Sequence, residues 1–114
     1  MDEGMIMEFK YLKLEIFIPE THLAQLQASL QKVDAGHIGN YDSCMSISRV
    51  TGTWRPLEGS NPYFGSTGEI STEEELKVEV MILSEKMKET IEAVKAVHPY
   101  EEPVIHVIPL INPE

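Results

Sequence analysis

Leu12-Lys13-Leu14-Glu15-Ile16 lies over Leu76-Lys77-Val78-Glu79-Val80 when the chain is shifted by 64 positions, and both stretches alternate apolar with charged side chains. A period of two marks a strand with one buried face and one wet face. The phasing extends outward: Tyr11 to Ile18 prolongs the first alternation, and Met81-Ile82 prolongs the second. Pro19-Glu20-Thr21 then opens a helix whose apolar positions Leu23, Leu26, Leu30 and Val33 form one helical stripe. Gly36 ends it, because glycine takes the left-handed cap cheaply. In the second half Ser84 reads as an N-cap, and Met87, Ile91, Val94 and Val97 as the matching stripe. The same shift carries Leu23, Leu30 and Val33 onto Met87, Val94 and Val97.

Each half closes with a further strand. Val104 to Leu110 is a largely apolar run, and His37-Ile38-Gly39-Asn40 leads into a strand from Tyr41 to Ser48. The expected fold is therefore α+β, a ferredoxin-like βαββαβ arrangement: an antiparallel sheet with two helices on one face. Thr53-Trp54-Arg55 reads as the return arm of an extra hairpin turning at Thr51-Gly52. Pro56 to Gly68, with two prolines and three glycines, is a central loop longer than plain connection requires. Residues 1–8 read as a disordered or loosely ordered lead-in, and residues 9–112 as one domain.

The chain has 114 residues, 42% of them hydrophobic, enough for one compact core. Nine basic residues against 19 acidic give a net charge of −10, a field that repels phosphate backbones and argues against nucleic-acid partners. No apolar run is long enough to span a membrane, and the N-terminus lacks the pattern of a secretory signal. A single cysteine, Cys44, excludes an internal disulfide framework and fits a cytoplasmic protein.

The chemistry-bearing residues come from three places. His98-Pro99-Tyr100-Glu101-Glu102-Pro103 stands at a helix-to-strand junction, where the two prolines favour extended backbone at His98 and Glu102. Adjacent carboxylates in extended chain diverge, so one of Glu101 and Glu102 is expected inward and the other solvated. His37, Asn40, Tyr41, Asp42 and Cys44 come from the first half, and Arg55 and Glu58 from the loop. Imidazole, thiolate and carboxylate suit a divalent ion, which makes Cys44, His98 and Glu101 candidate metal ligands. Asn40, Tyr41, Asp42, Arg55, Glu58, Tyr100 and Glu102 are candidates for holding a small ligand, with Arg55 suited to an anion. No paired-cysteine, paired-histidine, nucleophile-elbow or phosphate-loop motif is present. His106 alternates with apolar neighbours and reads as a hydrogen-bonded structural histidine, and His22 as a surface one. Trp54, Tyr63 and Phe64 place aromatic surface at the loop, suited to a pocket or a subunit contact.

Gly39-Asn40-Tyr41-Asp42-x-Cys44, Gly52-x-x-Arg55-Pro56-x-Glu58-Gly59-x-Asn61-Pro62, Gly65-x-x-Gly68 and the 98–103 junction occur in order. Together they resemble the domain inserted in YqfO-type members of the Nif-three-like family. The junction is also similar to the His-Pro-Tyr-Glu-x-Pro element of CutA, the divalent-cation tolerance protein. The resemblance covers about residues 11–110 and implies a CutA/PII-like fold and assembly into trimers through sheet edges. The two-metal site of the larger Nif-three-like proteins lies in flanking halves, so no ligand transfers from it. Val104-Ile105-His106 departs from the alanine-tyrosine-aspartate run usual there.

The expectation is a non-enzymatic, cytoplasmic binding or regulatory module. It is a homo-oligomer, with a trimer favoured over a dimer, holding a divalent metal or a small anionic ligand in a subunit-interface pocket. Two alternatives stand beside it: a metal-assisted hydrolase using His98 or Glu101 as base, and a purely structural oligomerisation module.

Overall fold

A computed structural model describes residues 3–111. After a short helix α1 (Glu3–Met7) come β1 (Tyr11–Ile18), α2 (Leu23–Lys32), β2 (Ser46–Trp54), β3 (Ser71–Leu83), α3 (Met87–Val97) and β4 (Ile105–Leu110). The strands form one sheet in the order β2-β3-β1-β4, and each neighbouring pair is antiparallel. This is the ferredoxin-like βαββαβ fold. None of the helices among the described residues is long and apolar enough to cross a membrane.

The alternation in β1 translates directly into the core. Leu12, Leu14, Ile16 and Ile18 are fully buried and face Ile82, Val80, Val78 and Leu76 of β3. Leu26 and Leu30 of α2 and Val94 of α3 complete the same cluster. Each fully buried aliphatic side chain stabilises the fold by about 1.5–3 kcal/mol relative to exposure. In α3 the buried partner of Val94 is Thr90 rather than the stripe residue Ile91. Thr90 tolerates burial because its hydroxyl donates to the Lys86 carbonyl one turn back, at 2.7 Å.

The opposite face of the sheet carries no helix and is polar at its centre. Glu15 lies 3.3 Å from Lys13, 3.4 Å from Lys77 and 3.3 Å from His106, and Lys13 donates to Glu79 at 2.8 Å. Burial pushes the Glu15 carboxyl up, but these donors outweigh it and hold the group below the usual carboxylate value. At the far end of the sheet, Tyr11 opens β1 directly opposite Leu110, which ends β4.

Several sequence expectations are corrected. The strand expected from Tyr41 begins only at Ser46, because residues 34–43 wind through successive left-handed positions at Asp34, Gly36, Gly39 and Ser43. Ile38 and Tyr41 bridge each other across one of these turns. No hairpin turns at Thr51-Gly52. Strand β2 runs straight through, with Gly52 opposite Glu73 and Trp54 opposite Ser71. Ser84 is not a side-chain cap. It begins a three-residue 3-10 turn, and its N–H donates to the Lys10 carbonyl at 3.0 Å. Met1 and Asp2 of the lead-in lie outside the described residues, as does residue 112, while Glu3–Met7 are helical.

Gly36 shows why one turn position demands glycine. Its φ is +78°, its N–H donates to Met81 at 2.9 Å, and its carbonyl accepts from Cys44 at 2.9 Å. A Cβ there would fall on the Cys44 carbonyl, whereas at Gly39, also left-handed, it would point into open space. Gly39→Ala is expected to cost only the left-handed penalty, about 1–2 kcal/mol. Gly36→Ala is expected to cost clearly more, read by urea unfolding of the two variants side by side; equal losses would contradict this account of the turn.

Candidate functional site

The helix-to-strand junction is anchored by His98. Pro99 keeps His98 extended, at φ −76° and ψ 130°, so α3 stops at Val97 and the imidazole turns back onto the sheet. Its Nε2–H donates to the Phe17 carbonyl at 2.6 Å, and its Nδ1 accepts the Tyr100 N–H at 3.2 Å. Both nitrogens are engaged, which fixes a neutral tautomer, and burial holds the imidazole below its ordinary pKa. The bond from Tyr100 also bends the chain over residues 100–102, so the segment is not extended throughout.

That bend swings Tyr100 over the open face of the sheet. The phenol faces the Glu75 carboxylate, and burial together with that carboxylate raises the phenol far above its usual pKa. Glu75 is only 8% exposed. It fits because Gly52 lies beside it on β2, where any Cβ would collide with the carboxylate. The conformational freedom of Gly52 is irrelevant here; its lack of a side chain is what the site uses.

Around this pair lies an open cleft of about 490 Å³ between the sheet and the 55–70 loop. Phe17, Trp54, Tyr63, Phe64 and Tyr100 supply its aromatic walls. Tyr100 stands 5.9 Å from both Trp54 and Tyr63, centroid to centroid. The loop is tied down at two points. Trp54 Nε1–H donates to the Phe64 carbonyl at 3.0 Å, and the Asn61 N–H donates to the Glu101 carboxylate at 2.9 Å. Glu102, Arg55 and His106 also line the cleft. His106 stands edge-on to Phe17 at 5.6 Å and bonds Glu15, so it is a structural histidine that also forms wall. His22 is half-buried and meets Tyr63 edge-on at 5.9 Å.

The candidate residues divide between two places. Arg55, Tyr100, Glu101 and Glu102 share the cleft, whereas Asn40, Tyr41, Asp42 and Glu58 do not line it. Tyr41 is 74% exposed on its turn. His37 staples the same turn, with Nδ1 3.0 Å from Asp34 and Nε2 2.9 Å from the Gly39 carbonyl. The Asp34 carboxylate raises the pKa of His37, because both partners accept from the charged ring. Cys44 borders a separate, smaller pocket beside Met45 and Glu79, with its thiol directed at the Asp42 carbonyl at 3.7 Å. Cys44, His98 and Glu101 therefore do not converge. Among the described residues no three His, Cys, Asp or Glu side chains are grouped to hold a metal ion. Sequence reasoning missed Phe17 and Glu75. Glu75 carries a faint signal: it is the third glutamate of Glu73-Glu74-Glu75 and the one placed just before the apolar alternation.

Comparison with known proteins agrees with this fold. The family model described as CutA1 divalent ion tolerance protein matches residues 54–113. A Halalkalibacterium halodurans protein described as a GTP cyclohydrolase 1 type 2 homolog is 42% identical over 100 residues, covering 88% of this chain and 27% of that protein. The chain thus spans about a quarter of the length of the curated relatives it matches. A Bacillus cereus protein related to NIF3 superposes with a TM-score of 0.80 at 36% identity, over 91% of this chain and 26% of that one. The periplasmic divalent cation tolerance protein CutA of Archaeoglobus fulgidus superposes with a TM-score of 0.67 at 24% identity, over 91% and 87% of the two chains, a likeness of fold.

The two histidine environments give opposite pH responses. His98, depressed in the folded state, contributes stability present above the unfolded imidazole value of about 6.5 and lost as pH falls through its folded value. His37, raised in the folded state, contributes stability present below about 6.5 and lost as pH rises through its folded value. Imidazole proton NMR titration is expected to place His98 below about 6.5 and His37 above it; the reverse order would refute both hydrogen-bond assignments.

Proposed function

This chain belongs to the CutA1 divalent ion tolerance protein family, and on that premise we propose that it is a non-enzymatic binding module. In this reading its copies assemble into a homo-oligomer and its ligand sits in the aromatic cleft. The observation that carries the proposal is the cleft itself. Its volume of about 490 Å³ falls in the range of small-molecule sites. Its walls are aromatic, its floor holds a buried carboxylate, and its loop is held in place rather than left loose.

Binding is favoured over hydrolysis by what the polar groups are doing. Both nitrogens of His98 are hydrogen-bonded to backbone, and the Glu101 carboxylate already receives the Asn61 N–H. Neither is poised to take a proton from water. A resident divalent ion, suggested by the family description, does not fit the separated donors Cys44, His98 and Glu101 within one copy.

Assembly is supported by the edges and rim of the sheet. Among the described residues strand β2 pairs with β3 alone; it carries neither lysine nor proline, and its one charged residue, Arg49, is paired with Glu20 at 2.7 Å. Ile47 of β2 is 42% exposed, and Leu57, Tyr63 and Ile70 of the 55–70 loop are more than half exposed. Head-to-tail joining through such an edge gives a ring when the rotation between copies closes, and a ring of three is the favoured assembly, with a dimer as the alternative. We place the module in the cytoplasm, where the lone thiol of Cys44 stays reduced.

Native mass spectrometry of untagged protein at about 10 μM is expected to give a trimer with small-molecule mass retained. Ile47→Lys, which puts a charge on the exposed β2 edge, is expected to give a folded monomer. A wild-type protein that is monomeric and takes up nothing would defeat the proposal.

A further inference from the structure

The cleft is electrically unbalanced. Glu75 is more than nine-tenths buried, and its partner among the described residues is the neutral phenol of Tyr100. The ion pairs of the open face end at Glu15 and Glu79 and do not extend to Glu75. A buried carboxylate needs charge as well as hydrogen bonds to offset its desolvation, and a phenol supplies one bond and no charge. The second carboxylate oxygen retains accepting capacity. Glu101 and Glu102 at the rim carry the same sign, and Arg55, itself exposed, is the only lysine or arginine on the wall. The faces of Trp54 and Tyr100 add negative quadrupole.

These fields favour a cation over an anion, and a particular kind of cation. A bare metal ion needs several convergent donors, which the cleft does not assemble. An ammonium or guanidinium head needs no coordination shell; one carboxylate and aromatic faces satisfy it. We propose that the cleft selects a small organic cation, its charged head lodged between the Glu75 carboxylate and the rings of Trp54 and Tyr100. The inference rests on the cleft being the binding site. The net charge of −10 adds a long-range pull of the same sign.

Trp54 is the only tryptophan in the chain, so its fluorescence reports on the cleft alone. Choline, its neutral isostere 3,3-dimethyl-1-butanol, arginine amide and citrate make a discriminating set. Choline or arginine amide is expected to shift the Trp54 signal saturably and bind at least tenfold more tightly than the neutral isostere. Glu75→Gln is expected to remove at least tenfold of that preference for the cation over the neutral isostere. If Glu75→Gln does not fold, Trp54→Leu read by calorimetry should lose the cations to at least the same extent. Equal affinity for choline and its isostere, or tighter binding of citrate, overturns the cation proposal and leaves the cleft standing as a site. No response to any of the four probes overturns both.

Discussion

The imidazole of His98 lies where β1, α3 and the cleft wall meet, and all three are positioned through it. One nitrogen donates to the Phe17 carbonyl and the other accepts from Tyr100, so helix end, sheet and junction share one rigid contact. Phe17 in turn donates its N–H to Val104, which continues the pairing of β1 with β4. Without that imidazole, the end of α3 would lose its hydrogen bond to β1, and the Tyr100 N–H would lose its acceptor. The neutral tautomer is essential, since a charged ring would present a proton to the Tyr100 N–H. Burial enforces neutrality, and Pro99 keeps the backbone at His98 ready for it.

The architecture was legible because its signals are local and periodic. The alternation of Leu12 to Ile18 is the burial pattern of β1, and the repeat at Leu76 to Ile82 is its partner across the ladder. What was misread depends on distant neighbours. Gly52 looks like a turn from its own sequence, yet it lies in mid-strand and exists to make room for a glutamate on the next strand. Thr90 breaks an apolar stripe on paper, but its hydroxyl is satisfied within the helix. Tyr41 and Asp42 look poised for chemistry beside Cys44, and left-handed turns carry them away from the cleft instead.

The site was half legible for the same reason. Tyr100, Glu101, Glu102, Arg55 and the aromatic residues of the loop stand out because proline, glycine and aromatic residues cluster around them. Glu75 does not stand out, because a glutamate in an acidic run reads as solvated surface. Its burial follows only from tertiary packing: Tyr100 arrives from one side, and the missing side chain of Gly52 opens the other.

The pairing of Tyr11 with Leu110 has an architectural consequence. Entry and exit of the domain are neighbouring rungs on adjacent strands, separated by about 5 Å. A host protein that interrupts one of its own surface loops with such a unit barely has to stretch that loop, so its own folding is little disturbed. The relatives in which the matching segment is about a quarter of the whole are long enough to accommodate such an arrangement.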